Sequence, residues 1–178
     1  MISEAKEHLL STLKSADRKW FYMYTHIPQV EKWAIKIAKL LSGANMEILL
    51  TSVWLHDIGL LLGSEGDHAV NSEAEVLKFL TGLGASPEVI SQVSHCVRAH
   101  RCKDVLPQSI EEKILAVADS ASHMTDDTYA CFAARGELQT AKEKLERDFH
   151  DVGLILQVKA EVTPLYLAWK HLLEVYPS

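Results

Sequence analysis

His56 and Asp57 stand side by side in the run Val53-Trp54-Leu55-His56-Asp57-Ile58-Gly59-Leu60. Burying an ionisable pair in so apolar a stretch is costly unless something compensates it. A bound cation would do so, since imidazole is a standard transition-metal ligand and a carboxylate can hold one ion or bridge two. Further candidate ligands lie at helix-compatible places: His26 ahead of the pair, and His68, His100 and Asp119 behind it. The set points to a buried metal site, and from there to metal-assisted hydrolysis.

Helices must bring these six residues together. Val30, Trp33, Ala34, Ile37, Ala38 and Leu41 recur at steps of three and four, an amphipathic helix. Pro28 fits its first turn and Gly43 its end, so His26 is expected just before it. Met46 to Leu62 is apolar nearly all round and reads as one central buried helix carrying the pair. Gly63, Ser64 and Gly66 mark a loop. After it His68 opens a helix with Val76, Leu77, Leu80 and Leu83 on one face, ending at Gly82 or Gly84.

Ser86-Pro87-Glu88 has the residues of a helix start. In the helix that follows, His100 comes three residues after Val97 and seven after Val93, which puts it on the buried stripe. His95 falls roughly 140° away from His100, on the polar side. Arg101 to Gln108 is a second loop. Ser109 and Glu112 form a capping box for a helix through Ile110, Ile114, Val117 and Ala118 that carries Asp119. Gln139 to Phe149 is a charged helix, Gly153 interrupts the chain, and Thr163-Pro164 resembles another helix start. His8, His123, His150 and His171 have no comparable company and are read as structural or surface residues. No period-two alternation is found. The expectation is an all-α, compact single-domain helical bundle over residues 1–178.

Net charge is -6 with Lys and Arg scattered, which argues against a large nucleic-acid surface. It leaves room for a small phosphorylated ligand. Cys96, Cys102 and Cys131 form no Cys-x-x-Cys pair, which disfavours a thiolate zinc site. Their odd number, and an acidic N-terminus without an apolar signal core, suggest reduced thiols and a cytoplasmic location. No stretch reads as a membrane span. Four Trp and an apolar C-terminal helix leave room for a homodimer.

The order His26 … His56-Asp57 … Asp119 resembles the HD-domain superfamily of metal-dependent phosphohydrolases. His56-Asp57-Ile58-Gly59 matches its signature in the HDIG form. The flanks His26-Ile27-Pro28-Gln29-Val30 and Ile114-Leu115-Ala116-Val117-Ala118-Asp119 agree, over roughly residues 20 to 125. The resemblance implies that His26, His56, Asp57 and Asp119 hold a first metal. In branches with two metals, His68 and His100 match the additional histidines, and Asp57 then bridges. The chain departs from some branches. No Gly-Tyr-Pro follows His100, unlike the cyclic-di-GMP phosphodiesterases, no nearby Glu supports a 5′-deoxynucleotidase analogy, and Leu60 stands where many relatives carry Lys. The implied activity is hydrolysis of a phosphate mono- or diester, with a nucleotide as the expected class. It would use one or two divalent ions of iron, manganese, nickel, cobalt or zinc. Asp57 would be central to catalysis. Arg101, adjoining His100, would be the first phosphate contact, ahead of Lys103, Lys144 and Arg147. The alternatives are a di-iron oxygenase of the same fold and a non-catalytic ligand-sensing HD module.

Overall fold

In the computed structural model, which describes residues 1–62 and 65–176, no strand occurs among the described residues. Helices α1 (Ile2–Ser15), α2 (Met23–Leu41), α3 (Met46–Leu55), α4 (His68–Gly82), α5 (Pro87–Ala99) and α6 (Ile110–Ser122) precede α7 (Thr128–Ala134), α8 (Leu138–Asp151) and α9 (Leu156–Val175). The protein is therefore all-α, as its periodicity predicts. Helix α6 is the axis. Ile114, Leu115, Ala116, Val117, Ala118 and Ala121 are wholly buried on it, and it packs against α2, α3, α5, α8 and α9. Its alanines let neighbours approach closely, which brings Asp119 within reach of several helices. One continuous core runs from Ala5 on α1 to Leu173 on α9. No described helix is long and apolar enough to cross a membrane.

Side chains at the helix ends explain most boundaries. Ser86 Oγ accepts the Val89 N–H at the start of α5. Ser109 Oγ accepts the Glu112 N–H, while Glu112 Oε2 accepts from the Ser109 and Gln108 N–H groups, a complete capping box. Asp67 Oδ1 accepts the Ala69 N–H, so α4 begins at His68 as expected. Gly43, with φ of 82°, follows the last turn of α2.

Four expectations need correction. The helix carrying the pair ends at Leu55, and His56 and Asp57 lie beyond its last turn, ahead of a 3₁₀ segment at Ile58–Leu62. The His56 imidazole binds the Val53 carbonyl at 2.8 Å, satisfying a helix-end acceptor. Helix α2 starts at Met23, so His26 sits within its first turns and Pro28 is interior. Buried Met23, His26, Ile27 and Val30 continue the apolar stripe across the proline. Pro164 is likewise interior to α9, because Val158, Val162 and Tyr166 form one buried stripe through it. Finally, Leu77 and Leu83 are 44% and 45% exposed, and α4 buries Ala69, Ser72, Val76 and Leu80 instead. Gly63 and Ser64 of the expected loop lie outside the described residues.

Candidate metal centre

Two helices end on a histidine in the same way. His56 closes α3 with Nδ1 2.8 Å from the Val53 carbonyl, and His100 closes α5 with Nδ1 2.6 Å from the Val97 carbonyl. A carbonyl only accepts, so each Nδ1 carries a proton, and the neutral form of each ring has its lone pair on Nε2. His26 on α2 has the same polarity. Its Nδ1 is 3.0 Å from Asp126 Oδ2, and its Nε2 points toward Asp119. Tethering one ring nitrogen so that the other presents a lone pair is how proteins orient metal-binding histidines.

These nitrogens face two carboxylates. Asp119 Oδ1 is 3.2 Å from His26 Nε2 and 3.6 Å from His56 Nε2. Asp57 divides its oxygens. Oδ2 faces His56 Nε2 at 3.6 Å and His26 Nε2 at 3.8 Å, whereas Oδ1 faces His68 Nε2 at 3.2 Å and His100 Nε2 at 3.6 Å. Two donors each about 2.1 Å from one ion stand roughly 3 to 3.5 Å apart, so the spacing suits a shared cation. His26 Nε2, His56 Nε2 and Asp119 Oδ1 are buried with no hydrogen-bond partner. Orphaned buried groups of this kind call for an ion. The residues therefore fit a metal. His26, His56 and Asp57 form one group of donors, His26, Asp119 and His123 a second, and Asp57, His68 and His100 a third, all imidazole and carboxylate donors suited to transition metals.

Electrostatics agree. Burial raises the Asp57 carboxyl, but His56 and His68 beside it outweigh burial and hold it well below the usual carboxylate range. Asp119 is held low in the same manner, by His123, His26 and His56 against its burial. Burial pulls the His26 imidazole down, yet Asp119 and Asp126 outweigh it and raise its pKa to about 10. A proton there stands where a cation would. Burial and the His56 charge lower His100 to about 4, leaving it neutral and ready to ligate.

Gly59 of the motif has a packing role. A Cβ at this position would lie 2.4 Å from the His68 carbonyl oxygen and 2.6 Å from the Ser72 backbone nitrogen. The Gly59 N–H also donates to Ser72 Oγ at 2.9 Å. Only glycine lets the segment after the pair lie flat against the first turn of α4, which begins with His68.

The cluster opens into a cavity of about 900 Å³. Arg101, Lys103, Lys144 and Arg147 all line it, as do Trp20, Tyr22 and Phe132. Arg101 is not free. Its Nη1 lies 2.6 Å from Asp67 Oδ2, and Lys103 is 3.7 Å from the same oxygen. His95 is exposed and pairs with Glu112 Oε1 at 2.9 Å, consistent with its place on the polar side. His8 stacks on Phe79 and bonds Glu75, remote from the cavity lining.

One expectation about histidines fails here. His123 has company: it lies four residues after Asp119, with Nε2 3.5 Å from Asp119 Oδ1, and its ring stacks on His26. The i, i+4 spacing on one helix was the available signal. Asp126 and Asp148, which face His26 and His123, carry no comparable sequence signal.

A family model for the HD domain matches residues 23–124, more than half of the chain. No curated protein and no solved structure gives a significant match.

Proposed function

The chain belongs to the HD-domain family, and from that premise we propose that it is a metal-dependent phosphohydrolase. Its substrate would be a phosphate mono- or diester, with a nucleotide as the class. The observation that carries this reading is the convergence of His26, His56 and His100, each tethered through Nδ1, on Asp57 and Asp119 at the floor of a cavity.

A divalent transition metal held by these residues supplies Lewis acidity toward a phosphoryl oxygen and a supply of hydroxide near neutral pH. The chain supplies the rest. Asp57 belongs to both halves of the cluster and fixes their spacing. Arg101 and Lys103, at the cavity wall beside His100, exchange part of their pairing with Asp67 for a substrate phosphate. Lys144 and Arg147 line the same cavity and offer further phosphate contacts. Trp20 and Phe132 offer flat apolar surface for the organic part, which suits a nucleobase.

The test is a screen of nucleotides and simple phosphoesters against protein loaded in turn with iron, manganese, cobalt, nickel and zinc. We expect metal-dependent phosphate release that Asp57→Ala lowers by more than about 100-fold, the scale lost with one transition-state contact. Undiminished turnover in Asp57→Ala overturns the proposal. So does iron-dependent oxygen consumption with a non-phosphate substrate.

A further inference from the structure

Resting on the metal reading above, we propose that His123 is an additional ligand at the Asp119 end of the centre, and that Asp148 orients it. His123 closes α6 four residues after Asp119, one helical turn on, and its side chain is 7% exposed. Its ring lies parallel to that of His26, with centroids 4.8 Å apart and planes 2° from coincidence. The two rings are built alike. His26 Nδ1 is 3.0 Å from Asp126 Oδ2, and His123 Nδ1 is 3.1 Å from Asp148 Oδ2. Both Nε2 atoms point at one oxygen, Asp119 Oδ1, from 3.2 and 3.5 Å.

That oxygen has no hydrogen-bond partner, although three imidazoles, those of His26, His123 and His56, crowd it. Donors from His26, Asp119 and His123 lie within 4.8 Å of one another. A single proton serves one nitrogen–oxygen pair, whereas one cation serves all three atoms. The Nδ1 contact to Asp148 is out of line for a hydrogen bond, but an unprotonated nitrogen facing a carboxylate at that distance would be repelled. The proton therefore sits on Nδ1, and Nε2 presents its lone pair to the centre. Asp148 is itself held in place: Oδ2 accepts the Tyr129 hydroxyl at 2.7 Å, and Oδ1 is 3.4 Å from Lys144 Nζ. A buried carboxylate behind a histidine, fixed by its own hydrogen bond, is the outer arrangement expected of a metal ligand. A histidine serving packing alone would have both nitrogens in hydrogen bonds.

The experiment measures Co²⁺ affinity, by competition with a chromophoric chelator, together with the visible absorption of the Co²⁺-loaded protein. His123→Phe keeps an aromatic ring against His26 and removes both nitrogens, so it reports the donor and not the packing. We expect it to weaken Co²⁺ binding by about 10- to 100-fold and to change the absorption band. In His123→Gly, added imidazole should restore the wild-type spectrum. Asp148→Asn should weaken binding by about tenfold, and it decides the matter if circular dichroism shows the His123 variants unfolded. Wild-type protein that binds Co²⁺ while His123→Phe and Asp148→Asn match its affinity and spectrum overturns the role of His123 alone. Wild-type protein that binds no Co²⁺ overturns the metal reading and this inference with it.

Discussion

Asp57 offers one carboxylate oxygen to His26 and His56 and the other to His68 and His100, so mutation of the histidines should separate the two halves. We expect His68→Ala and His100→Ala to keep a single tightly held ion after gel filtration, and His56→Ala to lose that ion. Elemental analysis reads the result; equal losses in all three variants would show that the halves are not independent. The six candidate residues that the structure brings together were picked out in the sequence by type and order, and helical phase added to the case for His100 alone. His100 illustrates this: its spacing from Val93 and Val97 predicted burial, and it is 2% exposed. His123 was legible only as a fourth residue after Asp119, a spacing that a structural histidine shares. Asp126 and Asp148 were not legible. They reach the site from the turn after α6 and from α8, and only tertiary packing sets where those segments lie.

Helix ends position the cluster. His56 and His100 finish α3 and α5, and His68 begins α4. The contact between Gly59 and the first turn of α4 holds the last of these in register. Gly59→Ala must push that turn away. We expect a loss of about 1–3 kcal/mol from overpacking, read from the denaturation midpoint, together with weakened binding at the His68–His100 position. A variant with unchanged stability and full metal content would remove this role from Gly59. Helix starts were the most legible boundaries, since Ser86, Ser109 and Glu112 act through short-range bonds written in neighbouring residues. The prolines misled for the converse reason. Pro28 and Pro164 favour a first turn locally, yet each lies within a buried stripe whose packing outweighs one missing N–H. The end of α3 was hidden too, because the apolar run continues to Leu62 while the His56 ring takes the Val53 carbonyl.

Across the molecule, the donors come from α2, the ends of α3 and α5, the start of α4, and α6. A metal bound to folded but not unfolded protein stabilises the fold by about 2.7 kcal/mol at a hundredfold excess over its dissociation constant. For a chain of this size, that corresponds to about 5–10 °C in Tm. Chelation should therefore lower Tm by that amount, and returning the metal should restore it; a Tm indifferent to chelator would show that no ion is held by the folded state. The spread of the donors has a further consequence for the order of events during synthesis. His26 leaves the ribosome long before Asp119, and nothing local brings the two together. The hydrophobic core must close that long loop first, so an ion would be captured by an architecture already assembled. Once captured, it would act as a clasp across the bundle. Unfolding must then open the clasp before the helices part, and the metal should show its largest effect in how slowly the protein comes undone.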